Sequence, residues 1–116
     1  MNSPLSLQKK GLTYRIKENS FLARIAAWKL SSVKVAIVLG SSIHLHNTSR
    51  EEFLSNKKWV SHEQKHIDQY KRYGFFTFIF LYLLESIKNG YRNNKYEVEA
   101  REAEKENSIN KKNKPI

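Results

Sequence analysis

The sequence predicts an α+β domain, mainly helical, in which a small β-hairpin or short sheet precedes a helix carrying His62-Glu63-Gln64-Lys65-His66. Three observations predict it. Alternation of apolar and polar residues is confined to short early segments, 12–17 and 43–46, as half-buried strands require. From residue 57 onward apolar residues recur at helical spacing, and Gly74 and Gly90 fall where two successive helices would end. A chain of 116 residues that is 40% apolar and 12% aromatic supports one modest core rather than a disordered segment.

Residues 1–11 read as a flexible arm, and 12–106 as a single domain. Leu12, Tyr14 and Ile16 alternate with Thr13, Arg15 and Lys17, a weak strand pattern. Ser20 is placed to cap a helix from Phe21 to about Leu30. Val33 to Leu39 is apolar and rich in β-branched residues, so it reads as a buried strand. Gly40-Ser41-Ser42 turns the chain, and Ile43-His44-Leu45-His46 returns as the second strand of a hairpin. That strand is expected at the sheet edge, across a cleft, where an extended peptide can pair with it.

Thr48-x-x-Glu51 fits a capping box ahead of Phe53 and Leu54. The motif helix is expected from about Lys57 to Tyr73, with Gly74 as a left-handed cap. Phe75 to Lys88 reads as a strongly apolar helix ended by Asn89-Gly90. Asn94 is placed to cap a last helix from Lys95 to about Lys105. A basic tail, 107–116, is expected to be disordered.

Composition removes several functional classes. There is no cysteine, hence no disulfide, thiolate nucleophile or Cys-based metal site; a metal would be held by His and carboxylates. The formal charge of +10 suits an anionic partner, but the cations are dispersed without a stripe, which argues against nucleic acid. The apolar run Phe75–Leu84 falls short of the about 20 residues that span a bilayer. It reads as a core helix, with a partner-binding or membrane-leaning surface as the alternative. No signal peptide is evident, so a cytoplasmic protein without a membrane span is expected.

The pentad carries the chemistry. Positions four apart on a helix lie one above the other, so His62 and His66 can reach one ion while Glu63 stands beside it. A catalytic zinc site takes three protein ligands and keeps one open position for water. No histidine follows His66, so the third ligand should be a later carboxylate. Glu97 is the first candidate, with Ala100 one turn on small enough for close helix packing; Glu99 is the fallback. Glu97 also suits the third position of a capped helix, where the dipole favours an acid. Glu63 would be the general base for water held by the metal. His44 and His46 share a strand face and are expected to line the cleft rather than bind metal. Tyr91, Tyr96 and Arg92 are candidates for polarising a carbonyl, or for packing and surface roles.

His62-Glu63-x-x-His66 followed by Glu97-x-x-Ala100 resembles the gluzincin class of zinc metallopeptidases. More narrowly, residues 35–105 resemble short bacterial zincin-like proteins of a peptidase-like family of unknown function. The matching residues are Ile43-His44-Leu45-His46, Trp59-Val60-x-His62-Glu63-x-x-His66 and Gly90-Tyr91-x-Asn93-Asn94-x-Tyr96-Glu97-x-Glu99-Ala100. The resemblance implies a minimal zincin-like fold, Zn2+ held by His62, His66 and Glu97, and Glu63 as catalytic base. Many gluzincins have Asp where Arg101 stands, so the usual support of a ligand histidine is missing here.

Three functional readings follow. The first is a zinc-dependent metallopeptidase or peptidase-like hydrolase acting on a peptide or protein, with recognition shared by a protein partner or a second copy. The second is a non-catalytic zinc-binding or protein-interaction module on the same scaffold. The third is a basic nucleic-acid-binding protein with a fortuitous pentad.

Overall fold

The computed structural model describes residues 6–9, 12–30 and 33–113. The order is β1 (Ser6–Lys9), β2 (Leu12–Lys17), α1 (Phe21–Leu30), β3 (Val35–Leu39), β4 (Ser42–His46), α2 (Arg50–Ser55), α3 (Lys57–Tyr73), α4 (Phe75–Asn89) and α5 (Lys95–Asn113). The fold is α+β, as the patterning predicts. Two expectations at the ends are corrected. Part of the expected arm is β1, paired antiparallel with β2 through Leu7↔Tyr14. The helix expected to stop near Lys105 continues to Asn113, because residues 95–114 contain neither Gly nor Pro to break it. The remaining calls on the arm and tail, at 1–5, 10–11 and 114–116, lie outside the described residues.

The four strands lie in the order β1-β2-β4-β3. The predicted hairpin is present, with Ile37 opposite His44. Its second strand, however, is not an edge. β2 pairs in parallel with the other side of β4 through Ile16↔Ile43, leaving β3 as the free edge. Parallel pairing needs a crossover, and α1 with β3 supplies it.

One sheet face carries Tyr14, Ile16, Val38, Ile43 and Leu45 into a core shared with Phe53, Ile67, Tyr70, Phe78 and Tyr96. The other face is covered by α1, whose Ala23 and Ala27 pack on Val35. Ser20 caps α1 as expected, its Oγ accepting from the Ala23 N–H at 3.3 Å.

The cap of α2 lies one residue later than the sequence suggested. Ser49 Oγ accepts from the Glu52 N–H at 3.0 Å, while Thr48 Oγ1 donates to the Glu52 carboxylate at 2.9 Å. The Ser49–Glu52 pair has the spacing of a capping box, and the first helical turn begins at Arg50. Asn56 caps α3 through the Trp59 N–H at 3.1 Å.

α3 passes into α4 through Gly74 alone. Its φ of 90° and ψ of 157° lie outside the left-handed helical region expected of a C-cap, in a region essentially reserved for glycine. The chain therefore turns sharply, without a loop.

The apolar run of α4 is also corrected. Phe78 is its one buried residue, whereas Phe76 is 80% and Phe80 62% exposed. Phe75, Leu83, Leu84 and Ile87 are exposed as well. The inner face of a short helix in so small a domain meets few partners, so most of the run remains outside.

Asn94 fixes the start of α5. Fully buried, it donates from Nδ2 to the Tyr82 carbonyl at 3.0 Å and Ser86 Oγ at 2.9 Å. Its Oδ1 accepts from the Tyr96 N–H at 2.8 Å. One side chain thus caps α5 and ties it to α4. Asn94→Ala is expected to cost about 2–3 kcal/mol, combining a lost cap with buried groups left unpaired. Urea unfolding at constant m-value checks it, and an unchanged midpoint would show that α5 is positioned by other contacts.

Candidate metal centre

His62 and His66 stand one turn apart on α3, with ring centroids 5.1 Å apart. α5 packs along the same helix, with Ala100 fully buried, as its small side chain suggested. This brings Glu97, in the first turn of α5, between the two rings. Its Oε1 lies 3.0 Å from His62 Nε2 and its Oε2 3.2 Å from His66 Nε2. Among the described residues, these three form the one group of His, Asp or Glu whose ligand atoms all fall within 4.8 Å of one another.

The hydrogen bonds behind the rings decide what the centre can accept. His66 Nδ1 meets Gln69 Oε1 at 2.8 Å. The Gln69 amide is oriented by Nε2 donating to the Tyr96 carbonyl at 3.2 Å and to Glu99 Oε1 at 2.9 Å. Its oxygen therefore faces the ring, and His66 Nδ1 must carry the proton. His62 Nδ1 meets Glu104 Oε2 at 2.5 Å and is likewise the donor. Both Nε2 atoms then confront carboxylate oxygens. Either they are protonated, making two imidazolium ions, or a single divalent cation takes the place of those protons.

The second arrangement fits. Tetrahedral zinc with bonds of about 2.0–2.1 Å places neighbouring ligand atoms about 3.3 Å apart. The nitrogen–oxygen separations of 3.0 and 3.2 Å run to the two different oxygens of Glu97, and one ligand atom from each of the three residues lies within 4.8 Å of the others. His62, His66 and Glu97 could thus hold a divalent ion with small adjustments.

The charges of the chain alone follow this geometry. Burial opposes ionisation of Glu97, but hydrogen bonds from His62, His66 and Tyr82 hold its carboxyl well below the usual range. Burial likewise pushes His62 down, yet its hydrogen bond to Glu97, the Glu63 charge and the bond to Glu104 outweigh this and raise it to about 9. His66 is raised too, burial again being overcome by the bond to Glu97 and the charge of Glu63. Glu63, only 5% exposed, is pushed up to about 7 by burial, against the pull of His66 and His62.

Tyr82 of α4 closes the centre by donating its hydroxyl to Glu97 Oε2 at 2.5 Å. Its pKa is raised by burial and by the Glu97 charge. Tyr91 rises to about 12 for the same reasons, so it stays a neutral donor near pH 7.

Several candidates are separated from this group. Glu99 turns outward to Gln69 and is not placed to serve as the third ligand. His44 Nδ1 pairs with Ser20 Oγ at 2.9 Å on the α1 side of the sheet, and among the described residues His46 joins no group of His, Asp or Glu close enough to share an ion. Tyr96 is core, and Arg92 is exposed. Arg101 donates to the Arg92 carbonyl and, among the described residues, forms no hydrogen bond with either imidazole. Gln69 and Glu104 orient the rings instead. Their signal was present as helical spacing, three residues after His66 and seven after Glu97; Tyr82 had no comparable signal.

The centre forms one end of a cavity of about 480 Å³ that Glu63 and Tyr91 also line. Its far walls are apolar: Ile37 and Val38 from β3, Ile79 and Leu83 from α4. Ile37 and Val38 point to opposite faces of the sheet, so the cavity runs along the free edge of β3.

No protein-family model matches the chain, and no curated protein or solved structure is significantly similar to it.

Two predictions come from this geometry. In chelator-treated protein, the His62 pairs stabilise the fold fully below pH 6.5 and are lost as pH rises through about 9, because the folded pKa is the higher one. Zn2+ competes with the same proton, so its affinity should rise across that window with release of protons. Calorimetric titration in buffers of different ionisation enthalpy measures this; affinity independent of pH would contradict it. Separately, Gln69→Ala and Glu104→Ala are each expected to weaken zinc binding by about 10–100-fold, read by competition with a chelator.

Proposed function

We propose that the protein is a zinc-dependent metallopeptidase or peptidase-like hydrolase, with the metal held by His62, His66 and Glu97. The observation that carries this reading is the convergence of two correctly oriented imidazoles and a carboxylate beside buried Glu63, at one end of a cavity. A zinc ion there supplies Lewis acidity and brings the pKa of water down to about 7.

The side chains account for the remaining steps. Glu63, buried beside the two imidazoles, would accept a proton from the attacking water and deliver it to the leaving amine. Gln69 and Glu104 keep the imidazole Nε2 atoms aimed at the metal. Tyr91, neutral and on the cavity wall, would donate to the oxyanion that develops on the carbonyl. The substrate is a peptide in extended form, pairing with the free edge of β3 while its apolar side chains enter the cavity. This transfers to β3 the role the sequence suggested for Ile43–His46.

Glu63→Gln is expected to retain zinc and lose about 10²–10⁴-fold in peptide turnover. His62→Ala and His66→Ala should lose both metal and turnover. A peptide library digested by zinc-replete wild type and by Glu63→Gln is the decisive comparison. Zinc binding with no cleavage by wild type would leave the non-catalytic module. Failure to retain zinc would remove both readings.

A further inference from the structure

α1 and α4 have their amphipathicity reversed. At about 100° per residue, Phe76, Phe80, Leu83 and Ile87 fall within about 60° on one side of α4, and Phe21, Ile25 and Trp28 do the same on α1. All seven face solvent, with Trp28 78%, Phe76 80% and Ile87 80% exposed. Among the described side chains of α1, those buried against the sheet are alanines, Ala23 and Ala27, where large residues would ordinarily be placed. The four on α4 form a contiguous apolar surface of the kind that marks a docking face.

Charge identifies the occupant. The α4 stripe is bracketed by exposed cations: Lys71 and Arg72 before it, Lys88 and Arg92 after it. The one acid of α4, Glu85, lies on the opposite side of the helix, bonded to Asn89 and to the Lys95 N–H. The whole chain carries +10. In an isologous dimer the same patch meets itself, so the bracketing cations of two copies would be brought together and repel. An anionic lipid surface answers both features, accepting the aromatic and aliphatic side chains below the headgroups and the lysines and arginines among them. No helix among the described residues is long and apolar enough to cross a membrane, and a stripe on one side of a helix suits lying in the interface.

We infer that the protein docks on anionic phospholipid bilayers through the exposed apolar stripe of α4. Leu83 belongs both to the stripe and to the cavity wall, so the docking face runs into the cavity that the metal centre also lines. Resting on the proposed hydrolase, that continuity selects substrates presented at the membrane surface; the docking itself is independent of catalysis.

Flotation with phosphatidylcholine vesicles, with and without phosphatidylglycerol, tests this on the full chain. Wild type is expected to float with the anionic vesicles, less so in high salt. Phe76→Ser/Ile87→Ser removes exposed side chains only, so it should keep the wild-type circular dichroism while binding at least about tenfold more weakly. Glu63→Gln should float like wild type, which separates failure of docking from failure of the hydrolase reading. Absence of wild-type protein from anionic vesicles at low salt would overturn the inference. So would undiminished binding by the double serine variant, or a wild-type dimer that this variant dissociates and that ignores vesicles.

Discussion

The structure depends on one buried carboxylate. Glu97, 4% exposed, could not remain charged inside this domain without partners, and it receives them from two helices at once. His62 and His66 approach from α3 and Tyr82 from α4. Removal of any partner leaves a charge poorly solvated in a small core, where it is far costlier than at the surface. The same requirement holds α5 against α3 and fixes one wall of the cavity. Packing and chemistry are inseparable at this point.

Around that charge the polar groups form a closed chain of donors and acceptors. Gln69 is held by Tyr96 and Glu99 and in turn holds His66; Glu104 holds His62. Asn94 joins α4 to the start of α5 a few residues from Glu97. Satisfied networks of this kind rigidify a site, since movement of one member strands the others. The imidazole Nε2 atoms consequently face the centre whether protons or a cation occupy the space between them and the carboxylate.

The domain spends its apolar residues unevenly. β2, β4 and α3 supply a compact core on one sheet face, while α1 covers the other with alanines and leaves its aromatic side chains outside. α4 contributes Phe78 inward and a continuous stripe outward. Such outward residues add little to folding stability, because they remain in water. Their arrangement instead gives the cavity an apolar approach on the side away from the charged centre.

Much of this was legible from local pattern. The bounds of α1 and α3, the hairpin, the Asn94 cap and the His-Glu-x-x-His spacing all depend on periods of two or 3.6 residues, or on short-range capping. These are properties of neighbouring residues, so the chain alone determines them. The edge position of β3 could not be read that way, because it depends on where β2 finds a partner far along the chain. Nor could the exposure of Phe75–Leu84, since an apolar helix looks the same in sequence whether its outer side meets protein or solvent. Tyr82 joins Glu97 only once α4 folds back over α3. Tertiary structure decided these points because long-range packing selects which side of each element is covered and which ionisable groups must share one enclosed space.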